Sequence, residues 1–142
     1  MISKNYEFMR RMMEILSEMP KWSLSIVCLA AILWLTLAAK PLGDTDVPLF
    51  PHADKVAHAI MFGGFTLCIL LDWSRKHGWQ PAPAKVAAIA AGAAIALGIA
   101  TEVCQQEMGL GRSGDILDLV ADTTGALIVA SAGTFFKAKW RV

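Results

Sequence analysis

The chain is 142 residues long, 56% hydrophobic and 18% charged, with a formal net charge of +1 and a mean hydropathy of +0.50. That length allows one domain, the apolar excess is too large for an ordinary soluble domain of this size, and the near-neutral charge offers nothing to nucleic acid. The sequence predicts an all-α membrane protein: a single domain over 1–142, built as a four-transmembrane-helix bundle with an N-terminal amphipathic interfacial helix.

Residues 5–19 form the amphipathic element. Tyr6, Met9, Met12, Met13, Leu16 and Met19 recur at helical spacing, Lys4, Arg10, Arg11, Glu14 and Glu18 fill the other side, and Pro20 ends the pattern. Such a helix suits the inner leaflet, with its basic residues near anionic headgroups. The first span follows at 22–39, uncharged between Lys21 and Lys40. Thr36-Leu37-Ala38 resembles a signal-peptide cleavage site, but the region ahead of it is too long and too structured, so the span is expected to be retained. Further spans are predicted at about 56–73, 86–105 and 116–136. Stretches of this length make helices of roughly 27–32 Å, enough to cross the hydrocarbon core. Cys28, Cys68 and Cys104 all fall inside apolar stretches at no metal-ligand spacing, and read as small buried hydrophobes.

Charge fixes the orientation. Of the 13 Lys and Arg residues, only Lys40, Lys55 and Arg112 lie on one side of the predicted spans. The rest fall in the N-terminal segment, in the loop between the second and third spans, and in the C-terminal tail. Basic residues gather on the cytoplasmic side, so both termini are expected there. Trp22, Trp73 and Trp140 then all meet the inner membrane boundary, where amphipathic rings prefer to sit.

Most of the acids sort the opposite way, to the outer ends of the spans. Asp54 and His58 are four residues apart at the start of the second span. Glu102 with Gln105 and Gln106 closes the third, and Asp115, Asp118 and Asp122 form one stripe at the start of the fourth, just after Arg112. Asp122 lies about 10 Å further along the helix than Asp115. A carboxylate facing lipid at that depth costs roughly 2.5–3.5 kcal/mol, so these groups are expected to point into the bundle. Small residues below them supply packing seams: Ala126, Ala130 and Gly133 on the fourth span, and Gly92, Ala96 and Ala100 on the third. The same small-residue faces would serve an oligomer. Asp115 and Ser113 suit ordinary helix capping, and Asp44, Asp46, His52 and His77 suit loop solvation.

The ordered set Asp54-Lys55-x-x-His58, Phe62-Gly63, Glu102-x-x-Gln105 and Arg112-x-x-Asp115-x-x-Asp118-x-x-x-Asp122-x-x-Gly125 resembles the VanZ-like family of bacterial membrane proteins. The resemblance runs from about Asp54 to Ala130. Where this chain has Asp122 the family often has Asn, and the additional carboxylate makes the site more acidic. The resemblance implies a bacterial cytoplasmic membrane location and a link to the cell envelope. The family's name comes from a protein giving low-level resistance to the glycopeptide teicoplanin.

Three functions compete on these residues. The first is a non-enzymatic binder of an envelope lipid or lipid-linked intermediate. Asp54, Lys55, His58, Glu102, Gln105, Arg112, Asp115, Asp118 and Asp122 would form its site, with Arg112 holding a phosphate or carboxylate. The second is a membrane-embedded hydrolase or transferase acting on a lipid phosphate at the outer leaflet. Its candidate catalytic residues are His58, Glu102 and Asp118, with Asp54 orienting His58 as a general base. No cofactor motif occurs, no metal ligand is assigned, and the Glu102, Asp118 and Asp122 carboxylates could hold a divalent cation. The third, a small transporter, ranks last because the ionisable groups stop in the outer half of the spans.

Overall fold

The structure of the protein, a computed structural model, describes residues 2–38, 50–109 and 115–139. Asp44, Asp46 and Trp140 lie outside the described residues. Five helices and no strand occur among those described: α1 (Ile2–Glu18), α2 (Ser23–Leu37), α3 (Ala53–Lys76), α4 (Ala84–Met108) and α5 (Ile116–Lys139). The predicted spans lie in α2 to α5, and the all-α membrane class holds.

Three helices, α3, α4 and α5, are long and apolar enough to cross a membrane by themselves. With 15 residues, α2 reaches the needed length only when taken with α1, and the two are bent by 80° from one another. An N-terminal helix at nearly a right angle to a span is what an interfacial helix requires. Trp22 turns the corner in the left-handed region at φ 64°, uncommon for a bulky side chain, after Pro20 has stopped α1. Only 33%, 39% and 22% of the spanning windows of α3, α4 and α5 are buried within the protein. The remainder carries Ile60, Leu67, Ile89, Val103 and Ile128, all exposed. An apolar girdle of that extent is suited to acyl chains and not to water.

Close backbone approach between α3 and α5 organises the bundle. A Cβ on Gly125 would collide with the backbone carbonyl of Ala59, and one on Gly63 would come within 3.1 Å of the Gly125 carbonyl oxygen. With those side chains reduced to hydrogen, Phe62, Phe65, Thr66 and Leu70 of α3 are buried with Ala126 and Ala130 of α5. The expected seam on α5 is therefore present, and Gly133 continues it against Leu70. The seam expected on α4 is not. Gly92, Ala96 and Ala100 face outward, and the buried face runs through Ala87, Ala91, Ala94, Gly98, Thr101 and Gln105. Small residues surround α4 on every side, so their spacing does not select a face; the buried polar residues at its end do. Cys104 is likewise exposed rather than buried.

The two ends of the bundle are both polar. At the α1 end, Asp72 is buried and its Oδ2 accepts from the Ser25 backbone N–H at 2.8 Å and the Ser25 hydroxyl at 2.7 Å. Arg75 donates to Asp72 Oδ1 at 2.6 Å and to the carbonyl of Met19 at 2.8 Å. This ties the corner between α1 and α2 to the last turns of α3. Trp79 adds an indole N–H to Ser17 Oγ at 3.1 Å. The opposite end gathers the C-termini of α2 and α4 and the N-termini of α3 and α5.

Candidate functional site

Asp115 starts α5 as its cap: its Oδ1 accepts the Leu117 N–H at 2.9 Å, satisfying one of the helix's orphan donors. Its own N–H donates to Glu102 Oε2 at 2.7 Å, joining α5 to α4. Its Oδ2 receives Lys55 Nζ from α3 at 2.6 Å. Lys55 also reaches Asp118 Oδ1 at 2.6 Å and Asp54 Oδ2 at 2.9 Å. A single ammonium thus neutralises part of three carboxylates from two helices. The Lys55 charge and the Leu117 N–H together hold the Asp115 carboxyl below the usual carboxylate range.

One helical turn deeper, His58 Nδ1 bonds Asp122 Oδ1 at 2.9 Å, and its Nε2 lies 3.8 Å from Asp118 Oδ2. The imidazole stacks on Phe62, with centroids 6.1 Å apart and planes 9° off parallel, so its orientation is fixed from two sides. The acids form a gradient: the Asp54 side chain is 61% exposed, Asp115 38%, Asp118 14%, and Asp122 not at all. That series runs from a wet rim to a dry floor. Asp122 has room there because Gly98 of α4 has no side chain; a Cβ would lie 2.8 Å from Asp122 Oδ2.

The structure therefore brings Asp54, Lys55, His58, Glu102, Asp115, Asp118 and Asp122 into one cluster built from three helices. Gln105 stands at the same end, with its amide nitrogen donating to the carbonyl of Thr36 at 2.8 Å, and so fastens the last turn of α2 to α4. Arg112 lies outside the described residues, as does the expectation that it holds a phosphate. Sequence spacing pairs His58 with Asp54, but its hydrogen bond goes to Asp122 across the α3–α5 contact. Gly98 was not anticipated. It lies four residues before Glu102, on the same helix face, and that spacing was the available signal.

An all-helical domain with membrane-length apolar helices is that of a multi-pass membrane protein, with a cluster of ionisable side chains gathered from three helices at one end. A family model described as VanZ/LLP1 matches residues 4–137. The chain belongs to the VanZ/LLP1 family. Neither a curated protein nor a solved structure matches it.

Proposed function

We propose that the chain binds the polar headgroup of a cell-envelope lipid or lipid-linked intermediate, with the cluster of α3, α4 and α5 as the site. The observation that carries this reading is the inward convergence of Asp118, His58, Glu102 and Asp122 from three spans, graded from wet to dry. Carboxylates at that depth are costly unless something donates to them, and sugar hydroxyls or amino groups of a headgroup are suitable donors. The acyl or prenyl tail would remain in the bilayer against the apolar girdle. In this reading the cluster faces outward from a bacterial cytoplasmic membrane. Lys21, Arg75, Lys76 and Lys85 at the α1 end lie on the cytoplasmic side with both termini. A link to teicoplanin resistance belongs to the same proposal: a protein holding an envelope intermediate changes what a glycopeptide meets at the cell surface.

Native mass spectrometry of the full chain released from bacterial membranes tests it. Wild type should carry a headgroup-bearing lipid in roughly one-to-one ratio, and a Glu102→Gln, Asp118→Asn double variant should lose it. Identical lipid content in the two would overturn the reading. One observation favours a second function, a hydrolase or transferase: an imidazole bonded to a buried carboxylate, as a general base is. Release of inorganic phosphate from a lipid phosphate by wild type, absent in His58→Gln, would select it.

A further inference from the structure

We infer that His58, Glu102 and Asp122 form a binding site for a divalent transition-metal cation of the Zn²⁺ kind, at the floor of the cluster. Each residue comes from a different helix, and each offers one donor atom within 4.8 Å of the other two. His58 Nδ1 and Asp122 Oδ1 already stand 2.9 Å apart, a separation two donors can take on one ion. With metal–ligand bonds of about 2.0–2.2 Å, neighbouring donors on a tetrahedral ion lie roughly 3.3 Å apart. Donor pairs separated by up to 4.8 Å need to close by at most about 1.5 Å to share one ion.

Two unsatisfied oxygens point to an ion independently of that geometry. Glu102 is 8% exposed and Asp122 is fully buried, yet Glu102 Oε1 and Asp122 Oδ2 have no hydrogen-bond partner among the described residues. Buried polar atoms are nearly always paired, and an unpaired buried carboxylate oxygen is costly. Charge leads to the same place. Lys55 is committed to Asp54, Asp115 and Asp118, which leaves His58 as the counterpart of Glu102 and Asp122 among the described residues. Two carboxylates are balanced by one dication.

The donor set selects the kind of ion. One imidazole with two carboxylates suits Zn²⁺ and its neighbours, whereas Ca²⁺ and Mg²⁺ favour all-oxygen shells. Support for the donors is present as well. The second oxygen of Glu102 is held by the Asp115 N–H at 2.7 Å, and Phe62 fixes the imidazole plane, as outer partners do at metal centres. Three protein donors leave at least one coordination position open. For its purpose the inference rests on the headgroup reading: the ion would turn an acidic site into one that accepts oxygen donors of a lipid headgroup.

The test uses the full chain in detergent, stripped with EDTA, dialysed, and titrated with Zn²⁺ by calorimetry. Wild type should take up one Zn²⁺ per chain and unfold at higher temperature with the ion than without it. Affinity should fall by at least about tenfold in His58→Gln, Glu102→Gln and Asp122→Asn, and be unchanged in Glu107→Gln, an exposed acid at the same end of α4. Co²⁺ bound to wild type should show visible d–d bands, a readout needing no variant to fold. Folded wild type that binds neither ion saturably, or affinity indifferent to all three substitutions, overturns the inference. Zn²⁺ binding without any co-purifying lipid would leave the ion site standing and remove the headgroup reading. Lipid retained by a chain that takes up no Zn²⁺ would do the reverse.

Discussion

Gly98 and Asp122 meet across the contact between α4 and α5, where a methyl group on the glycine would stand 2.8 Å from Asp122 Oδ2. The buried carboxylate keeps its place against His58 because α4 presents only a hydrogen at that point. Gly98→Ala should therefore cost about 1–3 kcal/mol, the usual range for overpacking a tight site, and should displace Asp122 from His58. Gly92→Ala is the matched comparison, since a Cβ there meets no heavy atom within 4 Å. It should be neutral or stabilising by up to about 1 kcal/mol. Equilibrium unfolding in mixed micelles, followed by circular dichroism, measures both. Equal stabilities would show that the Gly98 contact is relieved without cost.

At the opposite end, Asp72 with Arg75 ties the last turns of α3 to the α1–α2 corner, two segments far apart in sequence. Asp72→Asn keeps the shape and removes the charge, leaving the Arg75 guanidinium paired only with carbonyl groups. Breaking a buried ion pair on one side costs about 3–5 kcal/mol, and a loss of that order is expected here. The damage should localise. Limited proteolysis should cut faster near Pro20 and Lys21, while Zn²⁺ uptake at the far end stays as in wild type. Unchanged cleavage at that corner would mean that Asp72 does not hold α1 and α2 to α3.

Asp115 provides a pH test whose sign is determined. Facing it are Lys55 and Asp54 of α3, Glu102 of α4, and Asp118 on its own helix. Its folded-state pKa is lowered, so its pairing with Lys55 contributes stability fully present above the unfolded value of about 3.9. That contribution fades as the pH falls through the lower folded value. Asp115→Asn keeps an acceptor for the Leu117 N–H and removes only the charge. Wild type should unfold at a higher temperature than the variant near pH 7, and the two should converge below about pH 4. A gap that stays constant across that range would rule out the ion pair as its source.

Much of this architecture was legible in the residue order. Long apolar stretches gave the spans, and the three-and-four spacing of Asp115, Asp118 and Asp122 placed those groups on one inward face. Asp115 as a helix cap also followed from its position. What the sequence left undetermined has a common cause: spacing along one helix does not say which neighbour stands opposite. His58 has Asp54 as a near neighbour in sequence and Asp122 as its partner in space. Gln105 carries the composition of a ligand-contacting residue, yet its amide nitrogen serves the end of α2. On α4, alanine and glycine occupy every face, so only the polar Thr101, Glu102 and Gln105 show where the neighbours are.

The meeting of Gly125 with Ala59 limits how the molecule can breathe. Two helices whose main chains touch without intervening side chains cannot slide or part without losing that contact, so α3 and α5 are expected to hold together as a pair. At the acidic end, the links of α4 to that pair include the bond from the Asp115 amide to Glu102. If the proposed headgroup enters the cluster beside α4, the Asp115–Glu102 bond is the link it would have to open.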